Sequence, residues 1–286
     1  MTYTRKNVSK LTRTERRRFV EALLELKQSG EYDEFVRLHV AHFVGDGHRG
    51  LRAAHMTPSF LPWHRRFVLD LERALRRVDS SVTVPYWDWT RDRTTTSVPW
   101  TDDLLGGNGR RFDRQVMTGP FAYRAGYWTI RVGITDDEFL TRDLGRPRKP
   151  IALPTKDDLD RALDDPVYDV SPWDSTVTRG FRNQLEGWGG GSNPWLNHNR
   201  VHRWVGGAML GGASVNDPVF WLVHAFVDLQ WQRWQRRHRN HRYLPDRPPG
   251  EDSPQYGRIV ARHERLPPWD VTPDELEDVS RIYRYA

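Results

Sequence analysis

The chain has 286 residues, long enough to bury a sizeable core, and neither a Pro/Gly linker nor a composition shift divides it, so one domain over 1–286 is expected. It has no cysteine, which excludes disulfides and leaves its stability to packing and bound metal. The formal net charge is +6, but the basic runs Arg16–Arg18 and Arg236–Arg239 are not interleaved with stacking aromatics, so they read as solvated surface or as attraction for an anionic substrate or acidic partner, not as a nucleic-acid site.

In chain order, the polar N-terminus lacks an apolar signal core and no stretch is long enough to span a membrane, so synthesis as a soluble cytoplasmic protein is expected. Thr12 and Glu15 form a capping box before a stripe of Phe19, Val20, Leu23, Leu24 and Leu26, and Gly30 closes that helix. A second helix, about Asp33 to Val44, carries His39 on a face with Phe35 and Leu38. Ser59 can cap a third, with Pro62 in its first turn, whose inward stripe includes Leu61, His64, Val68, Leu71 and Leu75. The stretch from Thr90 to Pro172 reads as long loops with short strands and one helix near Thr155 to Leu163. Asn193 and Pro194 open a helix that stacks His198 and His202, four apart, on one face. Asp217 and Pro218 open another, with a stripe of Phe220, His224, Val227, Trp231 and Trp234. The tail after Leu244 is irregular until Pro273 starts a short terminal helix.

Histidines are the chemistry-bearing residues. One histidine on an apolar helix face is most often a hydrogen-bonded core residue. Four on three such faces are harder to dismiss, because neutral imidazole is both the form that tolerates burial and the form a metal needs. With His39 and His55 the chain supplies two sets of three imidazoles, each suited to a late first-row transition metal.

The residues His55, Phe60, Trp63, His64, Arg65 and Glu72, then Asp217, Pro218, Phe220, His224 and Asp228, resemble the two copper signatures of the tyrosinase and polyphenol oxidase family. The segments 35–39, 85–89 and 181–188 are similar to landmarks of streptomycete-type bacterial members. The resemblance implies a mainly α fold: a central antiparallel four-helix bundle holding two copper ions, with long loops and a few short strands around it. It assigns His39, His55 and His64 to the first copper and His198, His202 and His224 to the second. It gives Glu186 and Asn199 the task of orienting a water near the second copper; without it they read as a surface glutamate and a helix-side asparagine. Arg203, beside His202, is either a pocket-mouth residue favouring a carboxylate-bearing phenol or a solvent-facing arginine. Gly206, Gly207, Gly211 and Gly212 suggest an open rim. Two positions depart from the family pattern: Val223 stands where a histidine commonly precedes the ligand, and Gln184 where streptomycete members have a histidine.

The implied activity is oxidation by O2 of o-diphenols or o-aminophenols to quinone-type products, with ortho-hydroxylation of monophenols. A catechol or aminophenol oxidase without the hydroxylation, a haemocyanin-like oxygen carrier and a catalytically silent metal protein are the other readings. The resemblance also implies a small caddie protein that delivers copper and, in some members, accompanies export.

Overall fold

The computed structural model describes residues 2–190 and 195–286, so the expected capping pair Asn193 and Pro194 lies outside the described residues. Within them the chain is mainly helical, with helices α1 (Arg13–Gln28), α2 (Glu31–His42), α3 (Phe60–Val78), α4 (Lys156–Asp164), α5 (Phe181–Glu186), α6 (Asn197–Val205) and α7 (Val219–Arg237). Two three-residue strands, β1 (Tyr3–Arg5) and β2 (Tyr283–Tyr285), pair in parallel.

The local signals explain most of these boundaries. The Thr12–Glu15 capping box is formed in both directions, and Gly30 takes φ 84° between α1 and α2. Thr155 and Asp158 form a second capping box that starts α4. Asp217 accepts a hydrogen bond from the Val219 N–H at 3.1 Å and so caps α7. Ser59 precedes α3 but does not cap it, because its hydroxyl donates to the Ala53 carbonyl at 2.7 Å and ties down the preceding loop instead. Helix α6 starts at Asn197, preceded by an extended Leu196.

Helix α7 is buried far beyond one stripe: Trp221, Leu222, Val223, Ala225 and Phe226 are enclosed as well as Phe220, His224 and Val227. A helix enclosed on all sides is a central element, and α3 packs along it. Fully burying each Phe, Leu or Val contributes roughly 1.5–3 kcal/mol, so the α3–α7 pair is the apolar heart that holds the histidines.

The expected short strands between Thr90 and Pro172 are not formed among the described residues; that stretch carries only isolated bridges, Gly109 to Val116 and Gln115 to Thr141. Pro273 introduces one 3-10 turn, Asp274–Leu276, rather than a helix, and the chain then turns into β2.

The β1–β2 pair gives the signature acids Glu72 and Asp228 a structural task. Arg5, fully buried, donates to Glu72 at 2.7 Å and to Asp228 at 3.2 Å, while Tyr283 and Tyr285 each donate to Asp228 at 2.6 Å. Arg65 also pairs with Asp228. Both chain ends are thereby fastened to α3 and α7 below the histidines.

Candidate metal centre and its cavity

His39 comes from α2, His64 from α3, His198 and His202 from one face of α6, and His224 from α7, while His55 sits on the loop before α3. The structure brings them together as two groups, His39–His55–His64 and His198–His202–His224, with one ligand nitrogen of each within 4.8 Å of the others in its group. The groups adjoin, since the His64 and His224 rings stack with centroids 4.0 Å apart.

Hydrogen bonds fix the orientation of four of the rings. Nδ1 of His39, His64, His198 and His202 lies 2.5, 2.9, 3.2 and 2.9 Å from the carbonyls of Gly212, Phe60, Glu186 and Met209. A carbonyl only accepts, so each Nδ1 carries the proton and each Nε2 presents a lone pair. Nε2 of His39, His64 and His202, and Nδ1 of His55 and His224, are buried without any hydrogen-bond partner. The three partnerless Nε2 lone pairs of His39, His64 and His202, buried in one place, would be costly unless a cation met them.

The spacing agrees with a metal. Nε2 of His198 and Nε2 of His224 are 3.3 Å apart, and two nitrogens bound at about 2.0–2.1 Å to one tetrahedral ion lie about 3.3 Å from each other. Burial holds all six imidazoles in the neutral form: His39 is pushed down to about 3 and His202 to about 4, and the other four fall well below the usual value. These residues fit two ions with all-nitrogen ligand sets.

The remaining five histidines lie outside both groups. His42 is turned away, its Nδ1 donating to the Leu38 carbonyl at 3.0 Å, and His238 donates to the Leu163 carbonyl at 2.8 Å. His48, His241 and His263 are exposed.

Glu186 is fully buried at the end of α5, which removes the surface reading. Its Oε1 accepts from the Met56 N–H at 2.7 Å and its Oε2 from Arg182 at 2.8 Å. Burial raises its pKa, opposed by the Arg182 guanidinium. The same residue's carbonyl receives the His198 Nδ1–H, so Glu186 anchors His198 directly and the residue after His55. Sequence reasoning missed this tie, although Arg182, four residues before Glu186 on one helix, was a legible partner. Asn199 accepts from His198 Nδ1 at 3.1 Å and keeps a buried Nδ2 with no partner.

A cavity of about 290 Å³ opens beside His55, His198 and His202, lined also by Phe43, Met56, Trp188 and Trp195. Asn199 and Arg203 both line it, with the Arg203 guanidinium 4.7 Å from the centre of the Trp195 ring. The glycines correct the expected open rim. Only Gly211 lines the cavity; a Cβ on Gly207 would lie 2.2 Å from the Thr141 carbonyl oxygen, so that glycine serves a close backbone approach. Gln184 donates to Asp165 at 2.9 Å, away from the histidines.

The geometry agrees with the relatives. Residues 29–237 match the family described as the common central domain of tyrosinase. The chain is 51% identical to a tyrosinase of Streptomyces antibioticus and 49% identical to one of Streptomyces glaucescens, each over 98% of both chains. Among solved structures it is similar to a polyphenol oxidase from Thermothelomyces thermophila, with a TM-score of 0.61 and 25% identity over 89% of this chain and 74% of that one. Signature residues, paired histidine triads and full-length identity converge, and the chain belongs to the tyrosinase family.

Proposed function

We propose that the protein is a dicopper oxidase that uses O2 to oxidise o-diphenols or o-aminophenols to quinone-type products and hydroxylates monophenols beside the existing hydroxyl. The single observation that carries this reading is the pair of buried, neutral histidine triads beside an open cavity. His39, His55 and His64 would hold one copper, and His198, His202 and His224 the other, within a single domain whose α2, α3, α6 and α7 form an antiparallel four-helix bundle. Copper bound at both triads would supply O2 activation and two-electron oxidation.

The chain's own residues do the rest. Aromatic rings around the triads keep water from them: Phe220 lies 4.1 Å from His224, Phe60 5.0 Å from His198 and Trp63 5.0 Å from His64. Asn199, with its unpartnered Nδ2, and Glu186, each of whose carboxylate oxygens has capacity for a further bond, would hold a water that takes the proton of an entering phenol. Arg203 at the cavity wall would favour a phenol bearing a carboxylate. An oxygen carrier needs its site covered, whereas this cavity is near the lower end of ordinary ligand pockets, about 300–1,000 Å³, and admits a single aromatic ring.

Absorbance assays of the copper-loaded protein with a catechol, an o-aminophenol and a monophenol test the reading. Quinone formation is expected; copper uptake without turnover of any of the three would return the protein to the carrier or silent class. The family resemblance alone carries a small caddie protein that delivers copper and, in some members, accompanies export; full copper loading of the protein produced by itself in copper-rich medium would make such a partner dispensable. No helix among the described residues is long and apolar enough to cross a membrane.

A further inference from the structure

His55 sits on a loop, its Nδ1 has no partner, and the residue after it, Met56, takes a φ of 54°. That left-handed backbone is uncommon outside glycine and persists only where the surroundings hold it. Both polar groups of the Met56 backbone are held by fully buried charged side chains of opposite sign. Its N–H donates to Glu186 Oε1 at 2.7 Å, and its carbonyl accepts from Arg52 Nη1 at 2.6 Å.

Arg52 is itself fixed from the far end of the chain. Its Nη2 donates to Gln255 Oε1 at 2.6 Å and its backbone N–H to the Arg258 carbonyl at 2.8 Å, while Nη1 also pairs with Asp46. Gln255 is 4% exposed and donates through Nε2 to Asp174 Oδ2 at 3.0 Å. The Asp174 carbonyl accepts from Arg182 Nη2 at 3.4 Å, and Arg182 Nη1 donates to Glu186 Oε2 at 2.8 Å. The hydrogen bonds thus close a ring that leaves Met56 through its carbonyl and returns to its N–H. An acceptor is required toward Arg52 and a donor toward Asp174, so the Gln255 amide fits one way round. Gln255 lies outside the matched residues 29–237, and through it the tail braces a loop of the central domain.

Resting on the assignment of His55 to the first copper, we propose that Arg52 is a positioning residue for that ligand and Gln255 the brace that aims it. Arg52 does not line the cavity; it acts through the Met56 peptide. Without its guanidinium the Met56 carbonyl and the Gln255 amide oxygen lose their donor, and the peptide after His55 is free to leave its left-handed turn. The second triad does not depend on this loop, because α6 and α7 carry its ligands.

Copper affinity, read by competition with a chelator, tests this in two backgrounds: His202→Ala, which leaves the first triad whole, and His64→Ala, which leaves the second. Arg52→Met keeps an apolar stem and should weaken copper in the first background roughly 10–100-fold, leaving the second within about twofold. Gln255→Leu, the milder change, should weaken the first by about tenfold and spare the second in the same way, and it decides the matter if Arg52→Met does not fold. A merely structural role would weaken both backgrounds together; that outcome, or unchanged affinity in the first, would overturn the proposal. Wild-type protein that takes up no copper would defeat the triad assignment instead. Hydrogen exchange of the copper-free protein would then still decide the brace: residues 53–57 should exchange about tenfold faster in Gln255→Leu while α6 is unchanged, and equal protection at 53–57 would overturn it.

Discussion

The two triads are built from the same parts by different means. The second takes His198 and His202 from one helix face and His224 from the helix beside it, so helical spacing does most of the positioning. The first gathers His39 from α2, His64 from α3 and His55 from a loop, so no local rule brings its members together. Yet each has two rings held by a carbonyl and one, His55 or His224, whose Nδ1 has no partner. His224 stacks on the His64 ring at 4.0 Å and meets the tilted Phe220 ring at 4.1 Å. His55 rests edge-on against Phe43 and His39, and its loop is fixed from α5 by Glu186. A helix can hold a ligand by packing, whereas a loop needs a tie from elsewhere in the fold.

The largest effects test whether the triads are separate copper sites. Metal analysis of the loaded protein should approach two equivalents of copper, and His64→Ala or His202→Ala should each lose roughly one equivalent together with the oxidase activity. Full copper in both variants would sink the ligand assignment.

Glu186 sharpens the comparison because it serves both triads. Glu186→Gln keeps an oxygen that can accept from the Met56 N–H but removes the carboxylate, and should depress monophenol turnover on the order of 10²-fold more than catechol turnover. Glu186→Ala also frees the His55 loop and should weaken copper at the first triad by roughly 10–100-fold, read by competition with a chelator. Equal losses on monophenol and catechol in the Gln variant would leave Glu186 a positioning residue only.

What the sequence made legible follows the same division. The pairing of His198 with His202 and the inward direction of His64 and His224 were readable from helical period, because a buried stripe repeats. The capping box at Thr12 marked a helix start through local chemistry alone, whereas the helix near Thr155 was read without its capping box. By contrast no helical stripe pointed to His55, and the family signature assigned it to its set. Full enclosure of α7 was not legible, since an apolar stripe says which face is buried but not that the other faces are covered too. Nor were the β1–β2 clasp and the Met56–Glu186 bond, which join residues far apart in sequence.

Acid should act on the metal-free protein. Unfolded imidazoles titrate near about 6.5, whereas burial pushes His39 down to about 3 and His202 to about 4 in the folded state. Above the unfolded value both states are neutral and nothing changes. Below it the unfolded chain binds protons that the folded chain refuses, so stability falls by about 1.4 kcal/mol per pH unit for each such histidine until its folded pKa is reached. The melting temperature of copper-free protein should therefore drop steadily from about pH 6.5 to 5, and bound copper should blunt the drop. A flat profile for the copper-free protein would mean that the triads are open to water, erasing the burial that both share.

Val223 carries the smallest expected effect. It is fully buried on α7 beside His224, and a histidine there would bring a polar group to the neighbourhood of the one second-triad ligand that no hydrogen bond holds. If ring packing alone leaves His224 slightly loose, hydroxylation should suffer before catechol oxidation, because it needs the phenol deprotonated and aligned at the same moment. Val223→His should then raise the ratio of monophenol to diphenol turnover, by roughly tenfold at most, since partners behind a ligand typically change activity by about 10–100-fold and His64 and Phe220 already restrain this ring. The same change puts an imidazole into an apolar position and should cost roughly 1–3 kcal/mol if it finds no partner, seen as a lower melting temperature. A lower melting temperature with an unchanged ratio would show that the stack of His64, His224 and Phe220 orients the ligand by itself, making packing on a helix equivalent to the carbonyl bonds of the other four.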